Sequence, residues 1–112
     1  WKASKGARGA VAAAIHLLRR ADTVDIVIID EDDRPTIDLV IYLARHGIRS
    51  NIRMLLPDER PVADRILDDI GEAGADLLIM GAYGQARATR LIFGGITERV
   101  LRNTPVPVLM SR

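Results

Sequence analysis

Short runs rich in Val, Ile and Leu alternate along this chain with longer stretches whose apolar residues recur every three or four positions. That alternation constrains the fold more than any other feature, because each run buries itself as a strand and each stretch covers it as a helix. Ser4 suits the cap of a helix running to about Arg20, with Ala7, Val11, Ala14, Ile15 and Leu18 on one face. Val24 to Ile29 (VDIVII) reads as a buried strand. Pro35 fits the first turn of a second helix, which continues through Leu39, Val40 and Leu43 to His46, and Gly47 supplies a left-handed stop. Ile52 to Leu56 is a second strand, broken by Pro57. Asp58 opens a helical region with an apolar stripe of Val62, Ile66, Leu67 and Ile70, closed by Gly71 and Gly74. Leu77 to Met80 is a third strand, reaching Gly81. Thr97 to Asn103 reads as a helix held by Val100 and Leu101, and Val106 to Met110 as the last strand. Pro107 marks that strand as an edge, since proline donates nothing to a ladder.

Strands separated by helices make βαβ units, whose right-handed crossovers build an open, doubly wound parallel sheet in an α/β fold. The 112 residues, 48% hydrophobic and 28% charged, are sized for a single domain spanning 1–112. Only four strands are visible, and the chain opens where a first strand would be ending. Trp1 is expected to close that strand, so the domain is expected to be truncated before Trp1.

The absence of cysteine excludes thiolate metal sites and thiol nucleophiles, and no apolar run is long enough to span a bilayer. A cytoplasmic protein with no membrane association is expected. Charge is nearly balanced, 16 Lys and Arg against 15 Asp and Glu, but it comes in blocks. Residues 1–20 carry five cations and no acid; residues 22–38 carry seven acids and Arg34. A mixed surface with few aromatic residues does not favour nucleic acid. The acidic run Asp30-Glu31-Asp32-Asp33 reads as a solvated loop ahead of a helix, with Mg²⁺ binding as the alternative. His16 and His46 read as surface and helix-end residues. No catalytic arrangement and no metal site are assembled, so the chain is not expected to be an enzyme.

In an open α/β sheet the ligand lies beyond the carboxyl ends of the strands. The segment after Met80 has the composition for such a site: Gly81-Ala82-Tyr83-Gly84, nine residues, then Gly94-Gly95 and a helix start. Glycine admits close backbone approach to an anion, and a helix N-terminus adds a favourable dipole. Gly81, Gly84, Gly94 and Gly95 are therefore candidate phosphate contacts, with Arg87 and Arg90 between them for charge-assisted hydrogen bonds. The alternative is that the glycines only punctuate turns. The spacing is neither Gly-x-Gly-x-x-Gly nor a Walker loop, and Lys2 and Lys5 are the only lysines.

Residues 74–112, GADLLIMGAYGQARATRLIFGGITERVLRNTPVPVLMSR, closely resemble the C-terminal half of universal stress proteins. That family's signature is Gly-x-x-Gly, nine residues, then Gly with Ser or Thr, and Gly81, Gly84 and Gly94 match its intervals. Trp1-Lys2-Ala3-Ser4 resembles the loop after the family's first strand. The resemblance implies a flavodoxin-like five-stranded sheet of order 3-2-1-4-5, frequent homodimerisation through the last strand, and a role in stress response. Some members bind ATP. This chain departs from them at two positions: Gly95 stands where the hydroxyl residue follows the third glycine, and Lys2 or Ala3 stands where an aspartate meets the ribose. The resemblance thus implies a non-catalytic interaction and dimerisation module with a degenerate nucleotide pocket and no assured cofactor. The alternative is an ATP-binding switch using the Gly81/Gly84/Gly94 loop, at most a slow ATPase.

Overall fold

The computed structural model of the chain describes residues 1–29, 34–56, 58–83 and 95–112, with Arg34 and Pro35 described in backbone only. Asp30 to Asp33, Pro57 and the stretch from Gly84 to Gly94 lie outside the described residues. The elements run α1 (Lys5–Leu18), β1 (Asp25–Ile29), α2 (Arg34–Arg45), β2 (Asn51–Leu55), α3 (Val62–Ala73), β3 (Leu78–Gly81), α4 (Ile96–Asn103) and β4 (Val108–Ser111).

Local chemistry sets the helix ends. The Ser4 hydroxyl accepts from the Ala7 N–H at 3.1 Å and caps α1. Gly47 follows α2 at φ 75°, and Gly74 closes α3 at φ 65°, both in the left-handed region that glycine enters without a Cβ penalty. Gly71, expected to help stop α3, lies inside that helix instead. A helical glycine costs about 1 kcal/mol relative to alanine, too little to end a helix that tertiary packing supports.

The strands pair in parallel, as the βαβ pattern requires. They form two two-stranded sheets: β1 with β2, in register Asp25 to Asn51, and β3 with β4, in register Leu78 to Val108. The order 3-2-1-4-5 of one continuous sheet is not seen among the described residues. No strand among the described residues pairs with the second edge of β1 or of β3.

The core sits between α1, α2 and β1. Ile15, Ile26, Ile28, Leu39, Leu43 and Ile48 form its buried cluster, against which Trp1, Val11 and Leu18 pack. Complete burial of an Ile or Leu side chain contributes about 1.5–3 kcal/mol, and Ile28 and Leu43 are almost wholly enclosed. Toward β3 and β4 the same helix packs differently. A Cβ on Gly6 would lie 2.6 Å from the Ser111 carbonyl oxygen, and one on Gly81 would lie 2.6 Å from the Ala7 nitrogen. Here the helix meets the strands backbone to backbone.

Two apolar stripes differ from expectation. Val62 on α3 and Leu101 on α4 are exposed, while Arg65 and Asp69 on α3 are buried. The buried charges are paired. Arg65 donates to the Leu56 carbonyl and its Nε lies 3.3 Å from Asp58, and Asp69 accepts from Arg53 on β2 at 2.5 Å. Ion pairing and a carbonyl contact offset the desolvation that would otherwise turn both residues outward.

Candidate functional site

The carboxyl ends of β3 and β4 carry the described part of the glycine-bearing segment. Gly81 is the last residue of β3, and Gly95 is the residue ahead of α4. Gly84, Arg87, Arg90 and Gly94 lie outside the described residues.

The β3 end is held from three sides. The Ala82 N–H donates to the Ser111 carbonyl at 2.8 Å, extending the ladder beyond Gly81. The next N–H, that of Tyr83, donates to the Thr97 hydroxyl on α4 at 3.1 Å. Tyr83 has φ 55°, unusual for a residue with a side chain. Its ring lies 5.5 Å from the Arg112 guanidinium, within cation–π range. The strand ends at the chain's last residues and the start of α4 therefore converge around Tyr83.

The two described glycines differ in what they require. Gly81 is hemmed in by Gly6 and Ala7, so its missing side chain is needed by the packing of α1. Among the described residues, a Cβ on Gly95 would meet nothing within 4 Å. Gly95 also provides no side-chain cap, and the first turn of α4 carries Glu98. Among the described residues nothing covers the amino end of α4, whose first turn carries an acid. Thr97 is the hydroxyl residue that the sequence reading left out. It is buried, and its position two residues beyond Gly95 was the available signal.

Other candidates separate from this site. The Ser4 hydroxyl is engaged as a helix cap. His46 Nδ1 lies 2.9 Å from the Tyr42 carbonyl, with the two rings 4.6 Å apart, at the end of α2. His16 is exposed on α1. Among the described residues no group of His, Cys, Asp and Glu is arranged to hold a metal ion. A surface groove of about 580 Å³ runs between α3 and α4, lined by Asp64, Leu67, Asp68, Glu98, Arg99, Arg102 and Asn103. Its charges are paired: Arg99 makes a bidentate pair with Asp64 at 2.8 and 3.0 Å, Arg102 meets Glu98 at 2.7 Å, and Asp68 accepts from Arg60, which lies outside the lining. No helix among the described residues is long and apolar enough to cross a membrane.

Parallel strands joined through helices, with a glycine-bearing segment between β3 and α4, define an α/β domain. The profile of the Universal stress protein family matches residues 57–112, half of the chain, and the chain belongs to that family. It is 34% identical over 70 residues to universal stress protein Slr1230 of Synechocystis, covering 62% of this chain and 23% of that protein. It is 32% identical over 66 residues to universal stress protein MJ0531 of Methanocaldococcus jannaschii, covering 59% of this chain and 37% of that one. Universal stress protein Rv2319c of Mycobacterium tuberculosis is 33% identical over 52 residues, 46% of this chain and 18% of its own length. The matched regions span less than two fifths of each relative's length. No solved structure gives a significant match.

Proposed function

We propose that this chain is a stress-response domain that works by association, not catalysis, and that its nucleotide pocket is degenerate. The observation that carries the reading is the packing of Gly81. The first glycine of the signature is needed by the Ala7 backbone, so its presence requires no bound phosphate. Two further features support it. Gly95 brings no hydroxyl to the start of α4, and the nearby Thr97 hydroxyl accepts from Tyr83 within the protein. Losing a hydroxyl and a carboxylate contact to a nucleotide costs about 1 kcal/mol each.

The surface for association is the outer edge of β4, in a homodimer. Among the described residues β4 pairs only with β3, and an open edge strand is a template for another strand. Leu78 N–H donates to the Pro107 carbonyl, which turns the Met110 N–H to the outer edge. Met110→Pro removes an outward donor and leaves the inward ladder intact. Sedimentation should give a dimer for the native chain and a monomer for this variant. A native chain that is monomeric at every concentration overturns the association surface.

Calorimetry with ATP and Mg²⁺ tests the pocket. The expected result is no heat at millimolar ATP on folded protein. A tight signal abolished by Gly84→Val would instead establish the ATP-binding switch, with the Gly81/Gly84/Gly94 loop and Arg87 on the phosphates.

A further inference from the structure

Strand β2 carries apolar side chains that the fold leaves in water. The Asn51 N–H donates to the Val24 carbonyl, so Asn51, Arg53 and Leu55 turn their backbone groups to β1, while Ile52 and Met54 turn theirs to the outer edge. The register sets Ile52 beside Ile26 and Met54 beside Ile28, on the face that α2 covers through Leu39 and Leu43. Ile26 and Ile28 are buried there, yet Ile52 and Met54 stay 46% and 57% exposed. The helix thus sits over β1 and leaves the β2 side of that face open. On the other face Arg53 reaches Asp69 of α3.

Two residues of α2 extend the open area. One flank of α2 faces α1: Tyr42 packs on the cluster that Ile15 of α1 joins, and Arg19 of α1 donates to the His46 carbonyl just past the helix. Ile37 and Ile41 lie one turn apart on the opposite flank, away from α1 and on the β2 side, and both are about half exposed. The surrounding charges are sorted by end. Because α2 runs back against β2, its carboxyl end brings Arg45 to the amino end of β2, where Arg49 lies. Its amino end brings Asp38 to the carboxyl end of β2, beyond which Glu59 follows. All four charged residues are exposed. The apolar area is therefore basic at one end and acidic at the other.

We propose that this surface pairs with the same surface of a second copy of the chain, β2 against β2 and antiparallel. A two-fold rotation lays apolar centre on apolar centre and each basic end on an acidic end, so the patch is its own complement. Ile52 then pairs with Met54 of the second copy, and their outward N–H and C=O groups complete a ladder. Arg53 meets its own counterpart on the other face, where Asp25 and Asp69 of its own chain neutralise it. Ile37 and Ile41 close over the seam from α2. Four apolar side chains fall well short of the roughly 20–30 residues a side of a stable interface, so the pairing belongs to concentrated solution. Because β2 and β4 lie in different half-sheets, this pairing is independent of association at β4 and would join β4-linked dimers into larger assemblies.

The Met110→Pro chain isolates the β2 surface. Sedimentation should show a monomer at about micromolar and a dimer at about millimolar concentration. On dimerisation the Ile52 and Met54 amides should exchange at least about threefold more slowly, while those of Arg53 and Leu55, already facing β1, should not change. Met54→Lys alters an exposed site, so it should keep the fold and remove the dimer. Arg45→Glu with Arg49→Glu should weaken the dimer, and adding Asp38→Arg and Glu59→Arg should bring it back. A monomer at every concentration overturns the proposal. A dimer that leaves Ile52 and Met54 unprotected, or that survives Met54→Lys, assigns association to another surface and overturns it as well. A charge reversal that is not rescued overturns the antiparallel orientation.

Discussion

The Tyr83 N–H donates to the Thr97 hydroxyl at 3.1 Å and so ties the end of β3 to the first turn of α4. The two ends of the glycine-bearing segment are thereby held together by a protein contact. Thr97→Val keeps the side-chain shape and removes the acceptor. It should lower stability by about 0.5–1.5 kcal/mol in urea denaturation, the net contribution of a part-buried hydrogen bond. Thr97→Ser, which keeps the hydroxyl acceptor, should restore most of that stability. Equal stability of the Val variant would show that the bond contributes nothing.

Gly81 and Gly95 should respond to alanine to different degrees. At Gly81 the added Cβ meets the Ala7 nitrogen at 2.6 Å, and Gly81→Ala should destabilise the fold by about 1–3 kcal/mol without any ligand present. At Gly95 nothing among the described residues lies within 4 Å of an added Cβ and φ is −60°, so Gly95→Ala should cost only about 0.5–1 kcal/mol, through the weaker cap. Chemical denaturation of both variants measures the contrast.

Asp69 is buried and accepts from Arg53, which also lies 3.6 Å from Asp25. Asp69→Ala leaves the guanidinium with its partly exposed partner alone. Because Arg53 reaches solvent, the loss should be about 1–3 kcal/mol, below that for a fully enclosed pair. A double-mutant cycle with Arg53→Ala should show strong non-additivity.

The Arg60 side chain, by donating to Asp58, holds the Asp58 carboxyl below the usual carboxylate range, with the Arg60 N–H adding to the effect. Arg60 is raised in return. A depressed folded-state value means that the contribution is fully present above the unfolded value and is lost as pH falls through the folded one. Carboxyl NMR titration should place the Asp58 midpoint below that of an unfolded aspartate, and Arg60→Ala should return it toward the ordinary range. A midpoint unmoved by that change would exclude Arg60 as the cause.

Much of this arrangement is legible in the amino-acid order. Ser4, Gly47 and Gly74 act within one helical turn of themselves, so neighbouring residues suffice to read them. The helix faces of Ala7, Ala14 and Ile15 also follow from spacing alone. Arg65 and Asp69 were not legible, because periodicity assigns a charged side chain to solvent until its partner on another element is known. The pairing of strands is equally non-local: β1 and β3 read alike, and nothing in either run says which edge is filled. At the candidate site, Gly81 was found for its signature spacing, whereas its neighbour across the packing interface, Ala7, carries no signature.

The glycine contacts of α1 have a consequence for how this domain can drift over generations. Where the helix faces β1, an enlarged side chain is accommodated by a reduced one opposite, and the pair of changes conserves volume. Where it faces Gly81 and Ser111, the separation is set by main-chain atoms, and no smaller residue exists to trade against a larger one. One end of the same helix is thus free to exchange its sequence by compensation, while the other is frozen whatever the domain binds.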